Sequence, residues 1–241
     1  MPIAIIGGTG DEGFGLALRL AMAGEEVVIG SRSEERGHAA ATRAREILEL
    51  GAGAGTRGEV SGTTNDEAAA CADVVFVTVP YAGQAEIYRS IRDALRPGTV
   101  VCDTTTPLAS AVGRPAWQVL TPWEGSAAEQ ARAILRKDVA LVAGFHTVAA
   151  EPLQDLERPV EGDVLLCGAD DEAKATVGGL VERIPNLRWV DVGPLSMARI
   201  VERLTAVLVS VNRIYGITGA GVVLTGRESW GRPPPREAQG P

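Results

Sequence analysis

The run Gly8-Thr9-Gly10-Asp11-Glu12-Gly13 has the residue types and the spacing, G-x-G-x-x-G, that can cradle a pyrophosphate. It follows the apolar run Ile3-Ala4-Ile5-Ile6 and opens a small-residue helix over 13–23. In that setting the first glycine is expected to make a tight turn and the second to let the backbone approach the phosphates. The third lets the helix pack on the strand. Free N–H groups at the helix start, together with the helix dipole, then hold the anion. An ordinary glycine turn between strand and helix would share the spacing. The second apolar run at 26–29, at the distance a βαβ unit requires, favours the dinucleotide reading.

The end of that second run selects the cofactor. NAD enzymes place a carboxylate there to accept hydrogen bonds from the ribose. Here the run closes Ile29-Gly30-Ser31-Arg32, with Arg36 one helical turn further on. A hydroxyl and guanidinium groups suit a 2′-phosphate, which arginine can grip with two parallel bonds. NADP is therefore expected over NAD, with Ser31, Arg32 and Arg36 on the extra phosphate. Solvated arginines balanced by Glu34 and Glu35 are the plainer alternative.

Further along, Val79 and Thr104 to Thr106 come just after strand-like runs, at the edge where open α/β sheets bind ligands. Plain turn chemistry would explain the threonines equally well. His146 closes another apolar run and is expected at a strand end facing the cleft, as a ring contact or a satisfied structural histidine; His38 falls among polar helical residues, as on a surface. No nucleophile arrangement is evident, and none is needed if a hydride passes directly between two bound rings. No catalytic side chain is therefore assigned. Cys71, Cys102 and Cys167 are far apart and odd in number, so free thiols and no metal are expected.

These residues need a sheet to position them. Short apolar runs alternate with helical segments, the pattern of a Rossmann-type α/β fold, a doubly wound parallel sheet with a smaller C-terminal α/β portion. Strands are expected at 3–6, 26–29, 59–62, 73–79, 99–102, 139–142, 163–167 and 188–192. Helices are expected over 13–23, 33–50, 65–71 (capped by Asn65), 84–95, 126–136, 171–184 and 196–215. Residues 107–125 read as a loop or lid, and 51–58 as a flexible loop. The domain reading is 1–150 for the dinucleotide, 151–226 for a small C-terminal domain with a long buried helix, and 227–241 for a tail without structure. On that helix Ser196, Arg199, Glu202, Arg203, Ser210 and Arg213 share a polar stripe, and most of the rest is apolar. So wide an apolar arc suggests a homodimer. A net charge of −8 disfavours nucleic acid and anionic membranes. With no apolar run long enough to span a bilayer and no signal peptide, a cytoplasmic location is expected.

Gly7-Gly8-Thr9-Gly10, Gly15-Leu16-Ala17-Leu18-Arg19-Leu20 and Gly30-Ser31-Arg32 together resemble the NADP-dependent reductases of the deazaflavin coenzyme F420. Thr78-Val79-Pro80, His146-Thr147 and Gly193-Pro194-Leu195-Ser196 with Arg199, Glu202 and Thr205 extend the resemblance to about residue 221. It implies NADP on the N-terminal domain, F420 over the nicotinamide, and direct hydride transfer between them. It also implies Thr9 to Glu12 on the pyrophosphate and Val79 and Thr106 near the nicotinamide. His146, Ala150 and the turn around Ala220 would approach the ring site or F420. Because F420 carries a phosphate and carboxylates, Arg199, Arg203 and Arg213 are candidates to meet them, with a salt bridge to Glu202 as the alternative. Departures are the longer loops at 51–58 and 107–125, Asp103 and the proline-rich tail. The other readings are an NADPH-dependent reductase of a small imine or carbonyl substrate, and a non-catalytic NADP-sensing protein.

Overall fold

A computed structural model of the chain describes residues 1–50 and 57–226. Along the chain run β1 (Ile3–Ile6), α1 (Asp11–Met22), β2 (Val27–Ser31), α2 (Glu34–Leu50), β3 (Val60–Thr64), α3 (Asn65–Cys71), β4 (Val74–Val77), α4 (Tyr81–Ile91) and β5 (Val100–Asp103). Then come α5 (Ala127–Ile134), β6 (Ala140–Ala143), α6 (Ala150–Gln154), β7 (Gly162–Gly168), α7 (Asp171–Glu182), β8 (Leu187–Gly193) and α8 (Ala198–Tyr215). The strands form one sheet in the order β3-β2-β1-β4-β5-β6-β7-β8.

Alternation along the strands divides the core. Ile3 and Ile5 of β1 face α1, where Phe14, Leu16, Leu18 and Leu20 join them, while Ala4 and Ile6 face the side of Ala68, Tyr88 and Ile91. All four residues of β1 and of β4 are buried, as a central strand covered on both faces requires. Each such aliphatic side chain contributes roughly 1.5–3 kcal/mol on burial.

The pairs from β3 through β6 are parallel, but β7 runs antiparallel to β6, with Val142 opposite Gly168 and Ala143 opposite Cys167. The expectation of a parallel doubly wound sheet thus holds with one reversal, at the junction with the C-terminal segment. β2 extends beyond the expected 26–29 through Gly30 and Ser31, because these pair with Thr63 and Thr64 of β3. Asn65 does not cap α3 as expected: it lies inside the first turn, and its Oδ1 accepts the Gly7 N–H at 3.2 Å. α6, where no element was expected, is a short helix. The stretch 107–125 contains a 3-10 turn at Ala109–Val112 and a bridge between Leu108 and Val119. Most of the loop expected at 51–58 and all of the tail at 227–241 lie outside the described residues.

Candidate active site

The phosphate turn is built by close approach. Gly7 has φ +74°, and a Cβ there would lie 2.6 Å from Val79 Cγ1. The left-handed residue is therefore Gly7, one position before the glycine that the spacing had assigned to the tight turn. Gly8 is required for room instead: its N–H bonds Ile5 O at 3.1 Å, and a Cβ would meet that oxygen at 2.8 Å. A Cβ on Gly13 would lie 2.9 Å from Gly8 Cα, so α1 sits directly on the turn. Gly10 caps α1 in an extended conformation and no side chain bonds the helix start. Among the described residues no side chain caps the first-turn N–H groups, the arrangement an anion completes.

Above them lies a cavity of about 360 Å³ lined by Gly7, Thr9, Gly10, Ser31, Arg32 and Asn65, and by Thr78 to Pro80 on the other wall. Of these lining residues Ser31 is buried and Arg32 is exposed. Arg36 is exposed one turn along α2, beyond the residues that line the cavity. A phosphorylated ribose fits this end: a hydroxyl, a guanidinium, and no carboxylate among the lining residues.

The threonines divide into two roles. Thr78 Oγ1 donates to Ile6 O at 3.0 Å, Thr104 Oγ1 to Val77 O at 3.2 Å and Thr105 Oγ1 to Val79 O at 3.3 Å, tying the strand ends together. Thr106 instead shares a 2.9 Å hydrogen bond with Thr205 of α8, whose hydroxyl also reaches His146 O at 2.7 Å. Thr106 and His146 are thus brought together, and Thr205 is the residue between them that spacing did not single out as a site. His146 lies three residues beyond the end of β6, after Phe145 at φ +66°. Its ring is buried beside the Thr105 backbone, and burial lowers its pKa to about 4 against the pull of that contact. Ala150 and Ala220 lie apart from these, beside a second cavity of about 200 Å³ lined by Ala149, Pro152, Gly219 and Gly221. The Ala220 N–H is engaged by Asn212 Oδ1 at 3.0 Å.

Three carboxyl groups surround the ends of β4 and β5. Asp103 is fully buried, accepting from Gln84 Nε2 at 2.6 Å and from the Thr105 N–H at 3.1 Å, and burial raises it to about 6. Glu12, whose amide belongs to the phosphate turn, turns its carboxyl toward Thr104, and desolvation raises it to about 8. Glu202 is 1% exposed rather than on a solvated polar stripe, which corrects the expectation for this helix. Its two oxygens accept the Ala127 and Ala128 N–H groups at 2.9 and 3.0 Å, fastening α8 to the start of α5. Burial raises it to about 8, against the pull of those two bonds.

The arginines of α8 clasp the 107–125 stretch and its neighbourhood instead of standing free. Arg199 pairs with Glu129 at 2.7 Å, not with Glu202; Arg203 donates to Thr121 Oγ1 at 3.1 Å, and the Arg213 guanidinium lies 4.1 Å above the Trp117 ring.

Comparison with known proteins accords with this arrangement. Residues 2–107 match the family model of coenzyme F420-dependent NADP oxidoreductases. An F420-dependent NADP reductase of Methanocaldococcus jannaschii is 39% identical over 228 residues, spanning 95% of this chain and 100% of that one. One of Methanothermobacter thermautotrophicus is 42% identical over 228 residues, covering 93% of this chain and 95% of its own. Among solved structures, a protein of Arthrobacter sp. FB24, provisionally described as an F420-dependent NADP reductase, superposes with a TM-score of 0.76 at 24% identity, over 92% of this chain and 98% of that one. The 3-hydroxyisobutyrate dehydrogenase of Mycobacterium tuberculosis does so with a TM-score of 0.57 at 16% identity, over 89% and 62%. These two likenesses bear on the fold alone.

Proposed function

The chain belongs to the family of F420-dependent NADP reductases, and on that premise we propose that it transfers a hydride reversibly between NADP(H) and the deazaflavin coenzyme F420. The observation that carries the cofactor half is the uncapped start of α1 beside a cavity lined by Ser31 and Arg32 and by no carboxylate. In this reading residues 1–150 carry NADP: Gly8, Thr9, Gly10, Asp11, Glu12 and Gly13 form the pyrophosphate turn, and Ser31, Arg32 and Arg36 meet the 2′-phosphate. The nicotinamide supplies and accepts the hydride at C4, facing deazaflavin C5. Val79, Thr106 and His146 border the ring end, and residues 151–226, with Ala150 and Ala220 at their edge, complete the F420 side. The chain's own contribution is positioning and exclusion of water. His146 is held neutral and buried, so it orients a ring and moves no proton.

Two finer points complete the proposal. Ile200, Val207 and Ile214 recur every seven residues on α8 and are 59%, 57% and 69% exposed. Such a stripe suits a second copy of the chain, giving a homodimer. No helix among the described residues is long and apolar enough to cross a membrane, and Cys71, Cys102 and Cys167 are free, which supports a reducing, cytoplasmic setting.

The test mixes the protein with NADPH and oxidised F420 and follows bleaching of the deazaflavin's visible band. Bleaching with stoichiometric NADPH oxidation is expected. A stable band despite tight NADPH binding would reject F420 as the acceptor.

A further inference from the structure

The β2–α2 turn, which brings Ser31 and Arg32 to the cavity, is seated on β3 by two glycines. The buried residues of α2 are Gly37, Ala41, Ala44 and Leu48, one row facing the sheet. Side-chain size along that row grows from nothing at Gly37 to a leucine at the far end. The helix therefore lies closest to the sheet at its first turn. A Cβ on Gly37 would lie 2.7 Å from Thr63 N and closer still to Thr63 O. A Cβ on Gly62 would overlap Gly37 O and reach His38 N at 3.0 Å. The obstacles are backbone on both sides, so no change of rotamer relieves them. Nor is Thr63 free to recede. It pairs with Gly30 of β2, whose carbonyl accepts the Gly8 N–H of the phosphate turn at 3.1 Å, and its hydroxyl donates to Glu67. Two residues on, Asn65 Oδ1 holds the Gly7 N–H. On the helix side, the Gly37 N–H bonds Ser33 O at 3.1 Å, so a displacement of Gly37 passes directly to the residue after Arg32.

We propose that Gly37 and Gly62 are specificity-determining positioning residues: their contact sets the height of the β2–α2 turn at which Arg32 meets the 2′-phosphate of NADP. The inference rests on the NADP reading above and names what holds its selective end in place. Neither glycine lines the cavity, so both act through the turn and not on the ligand. An added methyl on Gly37 must lift the first turn of α2 by about half an ångström or more, which uses up the tolerance of a binding constellation. Ser31 stays, because its pairing with Thr64 belongs to the sheet. Arg32, one residue past the strand, and Arg36, immediately before Gly37, move with the helix. The phosphate turn at Gly7 to Gly13 precedes β2 and does not move with it. The loss therefore falls on the extra phosphate: NADPH weakens and NADH does not.

The measurement is the ratio Kd(NADH)/Kd(NADPH), titrated at one pH and salt for the unaltered protein, Gly37→Ala and Gly62→Ala. Loss of a charge-assisted contact to the 2′-phosphate should lower the ratio by about tenfold or more in each variant. The change should lie in Kd(NADPH), with Kd(NADH) within about threefold of the parent. Alanine is the better helix former, so Gly37→Ala does not act by weakening α2 itself. An unchanged ratio in Gly37→Ala, or both constants rising together, overturns the proposal. Should the variants not fold, hydrogen exchange of the unaltered protein decides, with 2′,5′-ADP and 5′-ADP each at the same multiple of its own Kd. A ligand that holds only the seated turn suppresses its opening, so 2′,5′-ADP should slow exchange over 33–38 and 60–64 at least about tenfold more than 5′-ADP. Equal protection by the two overturns it. If the unaltered protein binds NADH as tightly as NADPH, the NADP reading itself has failed, and this inference with it. A preference for NADPH that both variants keep defeats this inference alone.

Discussion

Replacing Arg19 by Met should loosen the floor beneath the C-terminal half far more than one helix substitution ordinarily does. Arg19 lies in α1 and is 2% exposed. Its Nε donates to Leu153 O at 3.0 Å, and its Nη2 to Pro152 O and Arg158 O at 2.7 Å each and also to Asp155 O. One guanidinium thus gathers the carbonyls of α6 and the turn after it. The packing is as tight: a Cβ on Gly15 would lie 2.6 Å from Leu153 Cβ. Methionine keeps most of the stem's volume and removes every donor. The buried Leu153 carbonyl then costs about 1–3 kcal/mol unsatisfied, while the part-buried ones recover water and lose about 0.5–1.5 kcal/mol each. Relief of the desolvated charge offsets part of this, leaving about 3–5 kcal/mol, the range for breaking a buried charged contact. For a chain of this size, that lowers Tm by about 6–20 °C. Lysine retains charge but not the fork, so Arg19→Lys should fall between the two. Thermal unfolding reads the global effect, and hydrogen exchange over 150–160 reads the local one. An Arg19→Met protein melting within about 2 °C of the parent would refute the claim that this guanidinium organises the segment.

Arg32→Ala should weaken NADPH by about tenfold to a hundredfold, the worth of one or two charge-assisted bonds, and leave NADH nearly unchanged; equal losses for both would reject its place on the 2′-phosphate. Gly13→Ala should weaken NADPH at least about tenfold by pushing α1 off Gly8, and should lower Tm by no more than about 8 °C, because the helical gain of about 1 kcal/mol offsets part of the overpacking of about 1–3 kcal/mol; titration of the two proteins checks it. The protein without ligand should lose stability as pH rises from about 6.5 to 8. Folding raises Glu12 and Glu202 from 4.5 to about 8, so the folded state holds protons that the unfolded chain has released. His146, lowered from 6.5 to about 4, gives the opposite slope only below that window. About 2 kcal/mol is expected over it, discounted for the part-exposure of Glu12 and the two N–H bonds on Glu202, and a Tm flat or rising with pH there would contradict it. Ile214→Asp should convert a dimer to monomers in sedimentation velocity; an unchanged mass would move the dimer contact off α8.

What the sequence disclosed follows from which forces are local. β1 and β4 were legible because a strand covered on both faces must be apolar throughout. The start of α1 was legible because glycine spacing records where backbones meet. β2 was read two residues short, since Gly30 and Ser31 join the strand through pairing with β3 and not through any preference of their own. The antiparallel entry of β7 left no local mark. α6 carries Pro152 and spans only Ala150–Gln154; it is held from α1 by an arginine more than 130 residues away. Thr205 belongs to the resemblance alone and carries no site role in the sequence for a similar reason, as its partners Thr106 and His146 come from two other strand ends.

The acidic end of the cleft was the least legible part, and its logic is electrostatic. A carboxylate in a sequence reads as solvated or paired with a cation, and Glu202 sits where helical periodicity places a polar stripe. In the fold it is buried because the start of α5 supplies two N–H donors that no apolar side chain could satisfy. Asp103 is buried because Gln84 and the Thr105 amide need an acceptor. Once both are fixed, Glu12 has acids behind it and a helix start beside it. Charge is thus divided along the strand ends: a guanidinium and an uncapped helix start toward β2, and toward β5 carboxyl groups held by neutral donors, which form no ion pair among the described residues. A chain of net charge −8 can still bind a polyanion if its positive charge is concentrated at the phosphates.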